Sequence, residues 1–597
     1  MSGSKTVRSV SFIALAALTA AGAPPAPGVA QSAYRDGSPT PAACEALGFT
    51  TVSEHDDYRR SARVGMPSPP PPPPPQREPR GRAADAAAEA HKRIEELAVT
   101  GHRVRPAAPS MYAPPPAIMR QQAETERYPN AQANPIRRVA DEPVSTFSVD
   151  VDTAAYANVR RFLNDGRRPP ADAVRVEELV NYFDYGYAAP RERTIPFRPF
   201  VAVTPSPWSA ERQIMHIGLQ GYEAPRAAQP PLNLVFLIDT SGSMSSEDRL
   251  PLARKSLGLL IDQLRPQDRV AMVAYAGSAG AVLAPTDGRQ KLKMRCALEA
   301  LHSGGSTAGG AGLALAYDLA RQNFDPKAVN RVILVTDGDF NVGVADPAKL
   351  KDFVAEQRKT GVYLSVYGYG RGNYNDTMMQ TLAQNGNGTA AYVDTLNEAR
   401  RLFRDDFTAS LFPIADDVKI QVEFNPARVS EYRLIGYETR MLAREDFNND
   451  RVDAGEVGAG ASVTALYEIT PTGAAASSDP LRYGRQPAPA AMPAGEIAFL
   501  KVRYKLPGER ASHVIERPIG GADVYASVAA APEPARWALA VAGFGQKLRG
   551  DPRIDERFGW PQVAALAQGA RGEDPFGLRA EFVQLVRNAD GARSLNE

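Results

Sequence analysis

The chain has 597 residues, 69 Lys and Arg against 68 Asp and Glu, and a formal net charge of +1. That length exceeds what one hydrophobic core organises and predicts several structural units. The balanced charge supplies no long-range field, which argues against nucleic acid or an anionic membrane as a partner.

Residues 1–30 read as a secretory signal: Lys5 and Arg8, an apolar stretch from Val10 to about Ala23, then small residues at Gly28-Val29-Ala30. The mature chain is therefore expected in an export compartment, the periplasm or cell envelope. No other window approaches the roughly 18 uninterrupted apolar residues of a membrane span. Residues 31–140 read as a disordered Pro/Ala-rich spacer with an unbroken proline run from Pro69 to Pro75 and one short helix at Ala83–Val99. Polyproline-rich sequence buries too little apolar area to offset its ordering entropy. Two cysteines occur, Cys44 in this spacer and Cys296 in a helical pattern. They suggest a spare thiol and a core filler, neither a disulfide framework nor a thiolate metal site.

Residues 141–230 form an N-terminal helical and strand region. In "VDVDTAAYANVRRFLNDGRRPP" the apolar Tyr156, Val159, Phe162 and Leu163 share a helical face, Asp150 and Asp152 alternate along a strand, and Asp152 with Thr153 is expected to cap the helix. "VRVEELVNYF" predicts a second helix; "FRPFVAVTP" and "RQIMHIGLQG" alternate at period two and predict strands. From 231 to 412 short apolar runs, "LNLVFLID", "DRVAMVAYAG", "RVILVTDGD" and "VYLSVYGYG", alternate with helical patterns. That predicts an α/β domain with a doubly wound, mainly parallel sheet, a fold that binds ligands at the carboxyl ends of its strands. Residues 413–515 return to strands, which can join those near 198–219 and make the α/β domain an insertion. Residues 516–597 read as helical.

Three loops of the α/β domain concentrate hard oxygen. "LIDTSGSM" carries Asp239, Ser241 and Ser243 after a buried strand; "HSGGSTAGGAG" carries Thr307 at a helix start; "VILVTDGD" ends a strand at Asp337. At one sheet edge these five residues can surround a hard divalent cation, Mg²⁺ first, with Mn²⁺ or Ca²⁺ as substitutes. The bland reading of the first loop alone is a helix-capping turn. Asp339 reads as a capping or solvent-facing residue. "DFNNDRVDAGE" imitates a calcium loop, but Arg451 and Val457 stand where glycine and glutamate are required, so an Asx-rich turn is preferred. The glycine loop has no lysine after it and is not a phosphate cradle. The six histidines contain no i, i+4 pair suited to a metal.

D-x-S-x-S, a threonine in a glycine loop and T-D-G on a later strand together resemble the metal-ion-dependent adhesion site (MIDAS) of von Willebrand factor type A domains. The flanks "VSTFSVDVDTAAYANVRRFLN", "RVEELVNYFDY" and "YRLIGYETRMLAREDFNND" resemble the bacterial YfbK-like family over roughly residues 141–590. The resemblance implies that Asp239, Ser241, Ser243, Thr307 and Asp337 hold the ion and that a partner protein's Asp or Glu carboxylate completes its coordination. It implies a binding module, not an enzyme. The rivals are a metal-dependent hydrolase, which lacks a general base because the aspartates are needed as ligands, and a purely structural ion.

Overall fold

The structure is a computed structural model and describes residues 33–35, 37–51, 126–129, 132–307, 309–338, 347–452, 454–477 and 495–592. The expected signal segment, the proline run and the helix at Ala83–Val99 lie outside the described residues. All described residues fall in one compact unit.

The first described segment corrects two expectations. Strands β1 (Tyr34–Arg35) and β2 (Ser38–Pro39) pair antiparallel, and Thr40 caps the short helix α1 (Pro41–Glu45) by accepting from Ala43 N. Cys44, fully buried in α1, is disulfide-bonded to Cys296, 252 residues later, and Arg295 donates to the Gly37 carbonyl at 3.3 Å. Residues 33–35 and 37–51 therefore belong to a covalently docked piece and not to a spacer, and neither cysteine is a spare thiol. Composition misled because two distant cysteines carry no local signal of pairing, and a short segment needs little core of its own once a bond holds it.

Next come β3 (Arg137–Arg138), β4 (Val144–Ser148), helices α2 (Ala154–Asn164) and α3 (Val176–Asn181), and strands β5 (Phe197–Pro205) and β6 (Gln213–Gly221). The α/β domain follows as β7 (Leu232–Asp239), α4 (Leu250–Gln263), β8 (Arg269–Tyr275), β9 (Ala279–Asp287), α5 (Lys291–Glu299), α6 (Gly309–Gln322), β10 (Val329–Thr336), α7 (Pro347–Arg358), β11 (Val362–Tyr369), α8 (Asp376–Asn385), β12 (Ala390–Val393) and α9 (Leu396–Arg400). Its sheet order is β12-β11-β10-β7-β8-β9, parallel except for the edge strand β9. Period two splits β7 between two cores: Leu234, Phe236 and Ile238 face one, Val235 and Leu237 the other, and all are buried. A strand covered on both faces requires the uninterrupted apolar run that the sequence displays.

The rest of the chain supplies α10 (Phe407–Leu411), β13 (Pro413–Phe424), β14 (Val429–Ile435), β15 (Met441–Leu442), β16 (Gly455–Gly458), β17 (Ser462–Pro471), β18 (Glu496–Lys505), β19 (Ser512–Gly520) and helices α11 (Glu533–Arg549), α12 (Trp560–Gly569) and α13 (Leu578–Gly591). Segments 141–230 and 413–515 do not stand apart. One sheet runs β15-β4-β13-β18-β19 and the other β3-β14-β17-β6-β5, so strands from both sides of the α/β domain pair with each other. Phe147, Val422 and Leu500 of the first sheet share a core with Val203, Ile217 and Tyr467 of the second. The outer face of the second sheet is covered by α3 and the C-terminal helices through Ile214, Leu466, Phe183, Trp537 and Phe582. Stacked and edge-on rings dominate that layer, with Phe183 and Trp537 centroids 5.1 Å apart.

Candidate metal centre

The first loop is built by its own aspartate. Asp239 is fully buried at the end of β7, and its Oδ1 accepts from the Ser241 amide at 2.8 Å, an Asx turn that reverses the chain. Its Oδ2 accepts from the Tyr275 hydroxyl at 3.1 Å and the Thr336 hydroxyl at 3.3 Å. Thr240 pins the loop to β8 by donating both its amide and its hydroxyl to the Tyr275 carbonyl. A 3₁₀ turn over Gly242–Ser245 then buries Met244 and leaves the Ser241 and Ser243 hydroxyl oxygens 3.0 Å apart.

The glycine loop docks on this turn through two backbone hydrogen bonds, Gly242 N to Gly305 O at 3.0 Å and Gly304 N to Thr240 O at 2.8 Å. Gly305 adopts φ +81°, a left-handed conformation that a side chain would strain, and Gly277 of the next loop lies against it. Thr307, two residues on, is half-buried at the lip of α6, and His302 at the start of the same loop is exposed. The third loop begins at Asp337, fully buried one residue past the end of β10. Its Oδ2 takes Arg249 Nη1 at 3.0 Å and Asn373 Nδ2 at 3.1 Å. Asp339 lies outside the described residues.

Asp239, Ser241 and Ser243 thus share one turn, Thr307 arrives on a loop bonded to it, and Asp337 follows the neighbouring strand. Burial raises the Asp239 carboxyl to about 6; the Ser241 and Tyr275 hydrogen bonds oppose that, and the charge of Asp337 adds to it. Two carboxylates with adjacent hydroxyls form a hard-oxygen donor set. The mutual repulsion of Asp239 and Asp337 is what a divalent cation would relieve, so the residues present fit such an ion. Bound there, the ion would act as a Lewis acid able to take a further oxygen ligand.

A second acidic group joins Asp150 and Asp152, read from the sequence only as strand and cap residues, to Glu178. Asp150, Asp152 and Glu178 lie within ligand distance of one another, all buried. Arg440 joins Asp150 at 2.9 Å and Asp152 at 3.3 Å, while Glu178 pairs with Arg175 and accepts from Gln380 at 3.0 Å. Asp150 Oδ1 accepts from the Asp152 amide and Asp152 Oδ1 from Ala390 N. Here protein donors satisfy the carboxylates, and the cluster fastens β4 and α3 to the α/β domain. The expected cap at Asp152 is absent: Thr153 is the N-cap without a side-chain bond, and Glu178 accepts from Ala155 N instead. Asp152 is drawn away because Ala390 and Arg440 offer stronger partners than its own helix.

In the calcium-like stretch, Asp450 binds Arg503 at 2.9 Å and Ser512 at 2.6 Å, and Asn449 Oδ1 accepts from Arg451 N. That is the Asx-rich turn expected.

Comparison with known proteins follows the same lines. The profile described as von Willebrand factor type A domain matches residues 233–405, one described as von Willebrand factor matches 122–216, and one described as Uncharacterized protein YfbK, C-terminal, matches 409–592. The chain is 45% identical over 480 residues to Uncharacterized protein YfbK of Escherichia coli (strain K12), covering 79% of this chain and 82% of that protein. It is 27% identical over 185 residues to Inter alpha-trypsin inhibitor, heavy chain 4, of Mus musculus, covering 30% of this chain and 18% of that protein. The solved structure of von Willebrand factor type A from Catenulispora acidiphila aligns over 68% of this chain and 91% of that chain at 17% identity, with a TM-score of 0.38.

Proposed function

The chain belongs to the YfbK-like family of von Willebrand factor type A domain proteins, and on that premise we propose that it is an exported cell-envelope protein whose α/β domain holds Mg²⁺ and, through it, a carboxylate of a partner protein. The observation that carries this reading is the convergence of Asp239, Ser241 and Ser243 with the loops of Thr307 and Asp337 at one end of the sheet. Asp239, Ser241, Ser243, Thr307 and Asp337 would hold the ion. Tyr275 and Thr336 keep the Asp239 carboxylate oriented, and Asn373 does the same for Asp337.

Export is supported by two independent features. One is the signal-like N-terminus; the other is the Cys44–Cys296 bond, because structural disulfides persist in oxidising compartments. Among the described residues no helix is long and apolar enough to cross a membrane.

The test is a pull-down from envelope extract with the full chain in Mg²⁺, in EDTA, and with Asp239→Asn in Mg²⁺. A partner retained only in the first condition supports the proposal, and its loss on amidating its surface carboxylates identifies the contact. A partner retained equally in all three would sink it.

A further inference from the structure

Arg249 is a cation that the structure places against a residue of the candidate centre, and its contacts are specific. It precedes α4, and its guanidinium reaches three loops at once. Nη1 donates to the Ser243 carbonyl and sits 3.0 Å from Asp337 Oδ2; Nη2 donates to the Arg371 carbonyl at 2.6 Å and to Asn373 Oδ1 at 2.9 Å. Its side chain is 13% exposed. Gly370, at φ +77°, makes room for it: a Cβ there would come within 2.2 Å of Arg249 Nε and 2.3 Å of its Cγ. The residue is therefore seated in a cradle that no other amino acid at 370 would leave open.

The loops it joins are those after β7, β10 and β11, so the guanidinium holds the Asp239–Ser243 turn, Asp337 and the 371–373 segment in register. It also brings a fixed positive charge to within hydrogen-bond distance of a carboxylate that a metal ion would share. Arginine cannot shed its proton in a protein, so this charge does not yield when an ion arrives.

We infer that Arg249 lowers the divalent-cation affinity of the Asp239–Asp337 centre, because its fixed charge competes electrostatically with the ion for Asp337. The inference rests on the reading of this centre as a metal site. Two consequences follow from the contacts. Replacing Arg249 by methionine removes the charge but keeps an unbranched chain over Gly370, and Asn373 still holds Asp337. Loss of one unit charge close to a divalent ion then tightens binding, by about tenfold for partly solvated charges several ångströms apart. Arg249→Lys keeps the charge and leaves affinity near that of the wild type.

The experiment is calorimetric titration of the full chain with Mn²⁺, alongside the Mn²⁺-induced rise in melting temperature measured for each variant against its own melt in EDTA. That internal reference separates a folding defect from an affinity change. Wild type binding, Arg249→Met binding about tenfold tighter with a larger Mn²⁺-induced rise, and Arg249→Lys restoring the wild-type values would support the inference. Equal or weaker binding by Arg249→Met, with wild type still binding, would overturn it and leave the metal centre standing. Absence of Mn²⁺ binding in both proteins would overturn the metal reading and the inference together.

Discussion

Two acidic groups stand at strand ends in this protein, and they are completed in different ways. Around Asp150 and Asp152 the protein provides the cation itself, through Arg440, together with backbone amides for the remaining oxygens. Around Asp239 the donors are neutral hydroxyls and one amide, and the nearby arginine is committed to Asp337 and to loop carbonyls. A buried acidic group whose carboxylates are all paired within the fold is a fastener, whereas one that includes a carboxylate held only by neutral groups keeps its demand for positive charge.

The sharpest way to break this comparison is at the fastener. Arg440→Met leaves Asp150 and Asp152 buried without their cation and is expected to cost about 3–5 kcal/mol at neutral pH, read from urea unfolding. Its cost should shrink on acidification. Burial and the charge of Asp150 raise Asp152 to about 7, with Arg440 opposing. A carboxyl raised in the folded state contributes stability that is complete below its unfolded value near 3.8 and is lost as pH rises towards 7. Removing Arg440 raises Asp152 further, which carries that loss to higher pH, and takes from Asp150 the cation that lowers it, which adds a second loss over the same range. An Arg440→Met penalty that does not change between pH 4 and 7 would refute the assignment.

The disulfide comes next. Replacing both Cys44 and Cys296 by serine should lower stability by about 2–4 kcal/mol and expose residues 33–51 to limited proteolysis, identified by mass spectrometry of the fragments. Protection equal to that of the wild type would mean that packing alone holds the segment.

At the candidate centre the sign should reverse. Asp239→Asn preserves the shape and the Ser241 amide bond of a carboxyl that burial disfavours as an anion, and its Nδ2 donates where Oδ2 accepted from the Tyr275 hydroxyl. In EDTA its melting temperature should match or exceed that of the wild type, while divalent-ion binding disappears. A large loss of stability in EDTA would make Asp239 a structural residue. The smallest effect is expected in the calcium-like turn. Asp450 is bound by Arg503 and Ser512 at a half-exposed position, so Asp450→Asn should change stability by less than about 1 kcal/mol. Added Ca²⁺ should not alter the melting difference between the two proteins.

Local pattern determined much of this molecule. The strands of the α/β domain follow from apolar runs bounded by turn residues, because a strand buried on both faces cannot accommodate polar alternation. The D-x-S-x-S turn follows from Asp239 bonding the amide two residues on, a contact fixed by sequence spacing alone. The α/β domain could be read as an insertion because strands of like pattern stand on either side of it.

Tertiary structure alone decided the rest. Cys44 meets Cys296 across 252 residues, and Asp150 meets Arg440 across 290. Gly370 opens a cradle for Arg249, and Arg249 reaches Asp337 from the start of a different helix. None of these pairs leaves a periodic trace, since hydrophobic period and turn chemistry report only a residue's immediate neighbours. Whether an aspartate becomes a fastener or a ligand depends on which side chains the completed sheet order brings to it, and that is settled only when the strands from both ends of the chain have paired.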